Sequence, residues 1–281
     1  MRVRIVTDST ADMTPASKQR VTAVPLTIFF GQQEYADGIT ITQREFYEKL
    51  VSSDVLPTTS QPNPTLFEDV YAEAAAAGDS VVVITISSGI SGTYQSACIA
   101  AADYDNVFVV DSENAALATG ILAELALQLA DSGMDAREIA ETLDREKKNL
   151  RLFAVLDTLE YLKKGGRISG AVAFVGGMLS IKPMITLQDG KVAVIGKPRG
   201  TKQANRALMT EIEKAGGIDR SKPILLGYTG LSDELLQNFI AESDELWESF
   251  PQPLPQALVC SVIGTHVGPG AVAVAFFANP Q

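Results

Sequence analysis

Six consecutive residues, Val81-Val82-Val83-Ile84-Thr85-Ile86, form an apolar run dominated by β-branched side chains. A strand with one wet face alternates apolar and polar residues, so an unalternating run predicts a strand buried on both faces, the condition found in parallel sheets. The flanking pattern agrees. Residues 87–93 are a turn rich in Ser and Gly, residues 94–102 read as a small-residue helix, and Val107-Phe108-Val109-Val110 repeats the strand before a polar tip at Asp111-Ser112. A helix follows, with Leu117, Ile121, Leu125 and Leu129 at four-residue spacing. Residues 3–6 supply another strand, which runs into Thr7-Asp8-Ser9-Thr10. Such alternation predicts a parallel sheet with helices on both faces and ligands received at the strands' carboxyl ends.

The remaining segments fill out two α/β regions. Residues 24–38 predict a hairpin, Thr42 caps a helix over 43–52 with Glu45 in capping-box position, and 65–77 and 136–150 predict further helices. Near residue 150 the texture changes. Strands are expected at 152–156, 183–187 and 191–195, the last two joined by the hairpin turn Gln188-Asp189-Gly190. Helices are expected at 158–164, 203–214 and 232–247, another strand at 223–228, and closing strands at 259–263 and 271–278. The expected division is 1–150, a Rossmann-like parallel sheet flanked by helices, and 151–281, an α/β domain with a mixed or antiparallel sheet.

Bulk properties exclude several functions. No apolar run approaches the ~18–20 residues that span a bilayer, and the N-terminus lacks the apolar core of a signal peptide, so the cytoplasm is the expected location. Two cysteines and one histidine give neither a disulfide framework nor a His/Cys metal site. A formal charge of −11 argues against a nucleic-acid surface. A basic cluster nevertheless runs from Lys163 to Arg206, suited either to a solvated face or to an anion or acidic partner.

Four motifs carry candidate chemistry. The sole histidine, His266, lies in Gly264-Thr265-His266-Val267-Gly268-Pro269-Gly270, expected to be a rigid turn between two apolar strands. Thr58-Thr59-Ser60-Gln61-Pro62 reads as an extended hydroxyl-rich loop before a helix. Ser87-Ser88-Gly89-Ile90-Ser91-Gly92-Thr93 joins a buried strand to a helix, aiming backbone N–H groups and the Ser91 and Thr93 hydroxyls at an anion. It has neither the Gly-Lys-Ser/Thr ending of a phosphate loop nor the glycine spacing of a hydrolase elbow. Finally, Gly165-Gly166-Arg167 and Lys197-Pro198-Arg199-Gly200 each present a guanidinium beside a turn.

Taken in order, these motifs resemble the DegV family, whose members include the fatty-acid-binding (FakB-type) subunits of bacterial fatty acid kinase. The resemblance runs from Thr7-Asp8-Ser9-Thr10 through Thr59-Ser60-Gln61-Pro62, the Ser87 to Ala97 segment, Asp111-Ser112, the Leu156 to Ile168 segment and Lys197-Pro198-Arg199 to the His266 motif. Ile90 and Asn63 depart from the usual pattern. The resemblance implies a two-domain protein holding one long-chain fatty acid between its domains, with the first domain at the head group and the second around the acyl tail. Thr59, Ser91, Gly92, Thr93, His266 and Arg167 would surround the carboxylate, and Arg199 would face a kinase partner. That ATP-dependent partner would convert the carboxylate to an acyl phosphate, so this chain would itself be no enzyme and need no cofactor or metal. Transient membrane contact fits that role; an integral membrane segment does not. Residues 171–179 and 271–277 are candidates to line the tail tunnel. The alternative from residue types alone is a lipid hydrolase or thioesterase using Ser91 and His266.

Overall fold

The computed structural model describes residues 2–168 and 180–279. The first part of the chain runs β1 (Val3–Asp8), α1 (Pro15–Lys18), β2 (Thr22–Val24), β3 (Thr27–Phe30), β4 (Gln33–Ala36), α2 (Gln43–Ser52), β5 (Thr58–Ser60), α3 (Pro64–Ala76), β6 (Ser80–Thr85), α4 (Thr93–Ala100), β7 (Val107–Asp111), α5 (Ala116–Asp131) and α6 (Ala136–Glu146). Strands β2-β1-β6-β7 form an all-parallel sheet, and β6 is buried along its whole length. A small antiparallel sheet, β4-β3-β5, stands beside it. At the start of α2 the Thr42 side chain accepts from the Glu45 N–H while the Glu45 carboxylate accepts from the Thr42 N–H, a complete capping box.

The second part runs β8 (Leu150–Val155), α7 (Glu160–Lys164), β9 (Met184–Gln188), β10 (Lys191–Gly196), α8 (Thr201–Lys214), β11 (Leu225–Tyr228), α9 (Glu234–Glu242), α10 (Asp244–Trp247), β12 (Gln256–Leu258), α11 (Ser261–Val267) and β13 (Val272–Phe277). Its sheet, ordered β10-β9-β8-β13-β11-β12, is mixed: only β11 and β12 pair in parallel. Asp189 (φ 50°) and Gly190 (φ 71°) turn β9 into β10, as the Asp-Gly pair requires.

Helix α5 joins the two sheets. Leu117, Ile121, Leu122, Leu125 and Leu127 are buried on every side of it, the state of a helix that is apolar all round. It packs against β1 and β6 on one side and against β8, β11 and β13 on the other. One apolar core therefore runs from Ile5, Val82 and Ile84 through α5 to Leu152, Ala273 and Ala275. Helices α3 and α4 cover the far face of the parallel sheet, with Phe67, Tyr71 and Ala97 against Val6, Val81 and Val83. Leu208 of α8 and Phe239 of α9 join Phe153 and Phe276 on the far face of the mixed sheet.

Four expectations change. The helix expected at 232–247 is two, α9 and α10, divided at Ser243. The helix expected to reach residue 150 stops at Glu146, because residues 147–149 tighten into a 3-10 turn and Leu150 opens β8. The loop at Thr58–Ser60 is a strand, β5, pairing with β3. The strand expected at 259–263 is mostly the helix α11: Cys260 is its N-cap, its sulfur accepting from the Ile263 N–H, and Gly268 (φ 73°) ends it. The apolar stretch 171–179 lies outside the described residues.

Gly120 of α5 packs directly on the loop after β1. A β-carbon there would sit 1.8 Å from the Asp12 carbonyl oxygen and 2.7 Å from its carbon. Gly to Ala in a helix normally stabilises by up to ~1 kcal/mol; here backbone blocks it, so Gly120→Ala is expected to cost ~1–3 kcal/mol, read as a lowered urea midpoint. An unchanged or raised midpoint would show that the loop yields freely.

Candidate functional site

Four polar side chains from four segments meet on one cavity: Thr59 from β5, Ser91 before α4, Arg167 after α7, and His266 on α11. Each is placed by local structure. The cap of α4 is Gly92, where a β-carbon would lie 2.0 Å from Gln61 Oε1; the absence of a side chain lets the loop before α3 close against the helix start. Gln61 Nε2 donates to Ser96 Oγ (2.9 Å), tying that loop, and Thr59 with it, to α4. Ser91 Oγ lies 2.8 Å from Thr93 Oγ1 and accepts from the Thr93 N–H. Arg167 leaves α7 through Gly166 (φ 71°), and its guanidinium donates to Gly165 O (2.8 Å) and to Ile90 O (3.2 Å), beside Ser91.

His266 sits under close packing. Its Nε2 is 2.9 Å from Thr59 Oγ1, and its Nδ1 is buried without a hydrogen-bond partner among the described residues. A β-carbon on Gly165 would be 2.3 Å from that Nδ1, so the glycine is what lets α7 cover the ring. Burial, reinforced by the Arg167 charge, lowers the imidazole pKa from 6.5 to about 4, leaving His266 neutral near pH 7.

The cavity, mouth included, encloses about 860 Å3 of non-atom space. Apart from the polar cluster its wall is mainly apolar and drawn from the mixed sheet, α11, the start of α5 and the segments after β2 and β6, including Leu26, Ile86, Leu152, Ile185, Ile263 and Ala273.

The other expected site residues lie elsewhere. Thr93 is fully buried as the first residue of α4, and Gly92 is its cap; neither lines the cavity, because the turn directs Ser91 there instead. Arg199 is exposed beside the start of α8, where its N–H donates to Gln203 Oε1, and it too is absent from the wall. His266 lines the cavity from a helix, not from the expected turn. Gln61 lies within the Thr59 motif, yet sequence alone assigns it no role.

A family model described as "Uncharacterised protein, DegV family" matches residues 2–279. The chain belongs to the DegV family. A DegV domain-containing protein of Deinococcus radiodurans is 34% identical over 282 residues, covering 98% of each chain. Among solved structures, a fatty-acid-binding DegV family protein from Thermus thermophilus superposes with a TM-score of 0.87 at 32% identity, covering 99% of this chain and 100% of the other. A stearic-acid-binding protein from Eubacterium ventriosum gives a TM-score of 0.85 at 28% identity, covering 99% and 98%. This α/β architecture is thus the DegV fold. In this DegV chain no helix among the described residues is long and apolar enough to cross a membrane.

The depressed histidine has a thermodynamic consequence. The unfolded chain protonates His266 near 6.5 and the folded chain only near 4, so between those values the unfolded state holds more protons and stability rises with pH. The His266 contribution is harmless above about pH 6.5 and increasingly destabilising as pH falls toward 4. Relative to His266→Gln, the wild type should lose stability across that window; parallel urea midpoints from pH 7 to pH 4 would contradict the neutral, buried ring.

Proposed function

We propose that this protein binds a long-chain fatty acid in the cavity, with the carboxylate at Thr59, Ser91, His266 and Arg167, and presents it to an ATP-dependent kinase for conversion to an acyl phosphate. The observation that carries the reading is the convergence of those four side chains on an otherwise mainly apolar cavity. The fatty acids bound by the Thermus thermophilus and Eubacterium ventriosum proteins support it. At ~0.8 kcal/mol per buried methylene, a C16 tail contributes on the order of 12 kcal/mol of gross affinity before the cost of association. The head group supplies orientation, at ~1.5–3 kcal/mol for each hydrogen bond to a charged oxygen.

With Nε2 protonated, His266 donates to Thr59 Oγ1 and leaves the threonine O–H free to donate into the cavity. Neutral donors leave a carboxylate more of its basicity than an intimate ion pair does, which suits an oxygen that must attack phosphorus. Arg167, partly engaged by the Ile90 and Gly165 carbonyls, orients the head group, while the exposed Arg199 faces the kinase. In this reading the bound protein works in the cytoplasm. The first 150 residues contribute Thr59 and Ser91 to the head-group site, and 151–281 contribute Arg167, His266 and much of the tail wall. A hydrolase would need Ser91 paired with His266; instead the Ser91 hydroxyl lies against Thr93 and the imidazole against Thr59.

Thr59→Val and Ser91→Ala are expected to weaken palmitate binding by delipidated protein roughly 10- to 150-fold, with little effect on the matching fatty alcohol, measured by calorimetry. Equal losses for acid and alcohol would refute a carboxylate-directed role. Arg199→Ala should keep palmitate affinity yet depress acyl phosphate formation by the partner kinase. Loss of lipid binding in that variant would overturn the separation of binding from transfer.

A further inference from the structure

Helix α11 carries His266 but has only seven residues, too few to hold itself in place. Its position depends on side chains that grip the segment leading into it. Gln43 Nε2 donates to Leu258 O (2.9 Å), the Tyr47 hydroxyl donates to Val259 O (3.0 Å), and Asp12 Oδ1 accepts the Cys260 N–H (2.8 Å). The third contact is different in kind. It is a buried carboxylate at the N-cap of α11, and Asp12 is itself fixed on its other side. Its N–H donates to Ala116 O (3.3 Å), and its carbonyl presses on Gly120 of α5. Ala116, held at φ 54°, also lines the cavity. One residue thus links the first turn of α5 to the cap of α11, two walls of the same site.

We propose that Asp12 is a positioning residue for the head-group cluster, setting through the Cys260 N–H where α11 starts and hence how His266 meets Thr59. Among the described residues Asp12 Oδ2 is buried without a hydrogen-bond partner, and the Asp37 carboxylate lies beside Ser9 and Ser261, so the Cys260 N–H is the group that Asp12 engages. Asp8, by contrast, is saturated by the Thr10 N–H, the Thr10 hydroxyl and the Ile86 N–H. Burial raises the Asp12, Asp37 and Cys260 pKa values; the Asp37 carboxyl raises Asp12 further, both carboxyls raise Cys260, and Lys18 lowers the two carboxyls. On the cavity side, α11 faces Thr59 of β5, Tyr161 of α7 and Arg167. Geometry, not charge, is what the position requires: an oxygen acceptor opposite the Cys260 N–H.

The sole histidine gives a direct reading in the ligand-free protein. In Asp12→Ala the His266 ring resonances should titrate with a pKa raised by one unit or more from about 4 toward 6.5, as α11 loosens and water reaches the ring. Asp12→Asn, which retains an acceptor oxygen, should restore the wild-type titration. Tyr47→Phe, a loss of one buried hydrogen bond on the same segment, should lower stability without moving His266. If Asp12→Ala does not fold, Cys260→Pro removes the donor instead at a φ of −61° that proline accepts, and should shift His266 in the same direction. Unmoved His266 resonances in the folded variant, or failure of Asp12→Asn to rescue, would overturn the proposal. A second arm rests on the fatty-acid reading: palmitate affinity should fall at least tenfold in Asp12→Ala and recover in Asp12→Asn. If wild-type protein binds no palmitate, that functional reading fails while the histidine titration still decides the role of Asp12; if wild type binds and Asp12→Ala binds equally well, Asp12 does not position the head-group site.

Discussion

The architecture depends on one helix that, from Ala116 to Leu127, leaves only Glu124 partly in water. Because that stretch of α5 is apolar on nearly every side, it is stable only between two sheets, and its burial draws the parallel and mixed sheets into a single core. That arrangement also dictates where a cavity can open. Along the middle of α5, Ile121, Leu122 and Leu125 fill the space between the sheets. At its start Ala115 and Ala116 line the cavity, and the mixed sheet contributes Ala154 and Ala273 to the same wall, while Gly227 lets Leu117 pack close. Small residues on both sides leave the gap that large ones close further along. An empty apolar gap of this kind costs stability, on the order of 24 cal/mol per Å3, and an apolar guest recovers that loss by restoring the missing contacts.

The polar end of the cavity follows a second constraint, the cost of burying charge. A cationic histidine in this setting would stand against Arg167 in a partly dry site, and burial together with that like charge keeps it neutral. A neutral imidazole beside a threonine hydroxyl orients the hydroxyl without adding charge, and the helix start at Ser91 adds donors of the same character. Among the described residues the one full charge on the wall, Arg167, is partly satisfied by the Gly165 and Ile90 carbonyls. Under the function proposed above, such a site receives an anion softly, with neutral donors fixing its direction beside one partly engaged guanidinium.

Much of this was legible in the sequence, for local reasons. The unalternating run at 81–86, the Asp189-Gly190 turn and the Thr42/Glu45 cap each state their structure within a few residues, and all three appear as expected. What escaped was non-local or too short to announce itself. Thr58–Ser60 becomes a strand because β3, about 30 residues earlier, offers an edge. Helix α11 hides among glycines, although Val262, Ile263, His266 and Val267 recur at helical spacing and all face the cavity. The Asp12 contact with Cys260 spans 248 positions, and no spacing rule reaches that far. Arg199 looked equivalent to Arg167 as an arginine at a turn; only the fold separates the one on the wall from the one outside.

The separation of those two arginines bears on how such a site works with a partner. The cluster of Thr59, Ser91, Arg167 and His266 draws two members from each part of the chain, so its geometry holds only while the two sheets stay in register across α5. A guest filling the gap strengthens that register, and the register in turn fixes the polar end. A residue on the wall consequently affects the guest and the relative placement of the sheets together. Arg199, beside the start of α8 on the far face of the mixed sheet, contributes to neither. Under the function proposed above, a surface arginine so placed meets another protein without changing the cavity, which is the physical condition for holding a ligand and handing it on to be separate properties of one molecule.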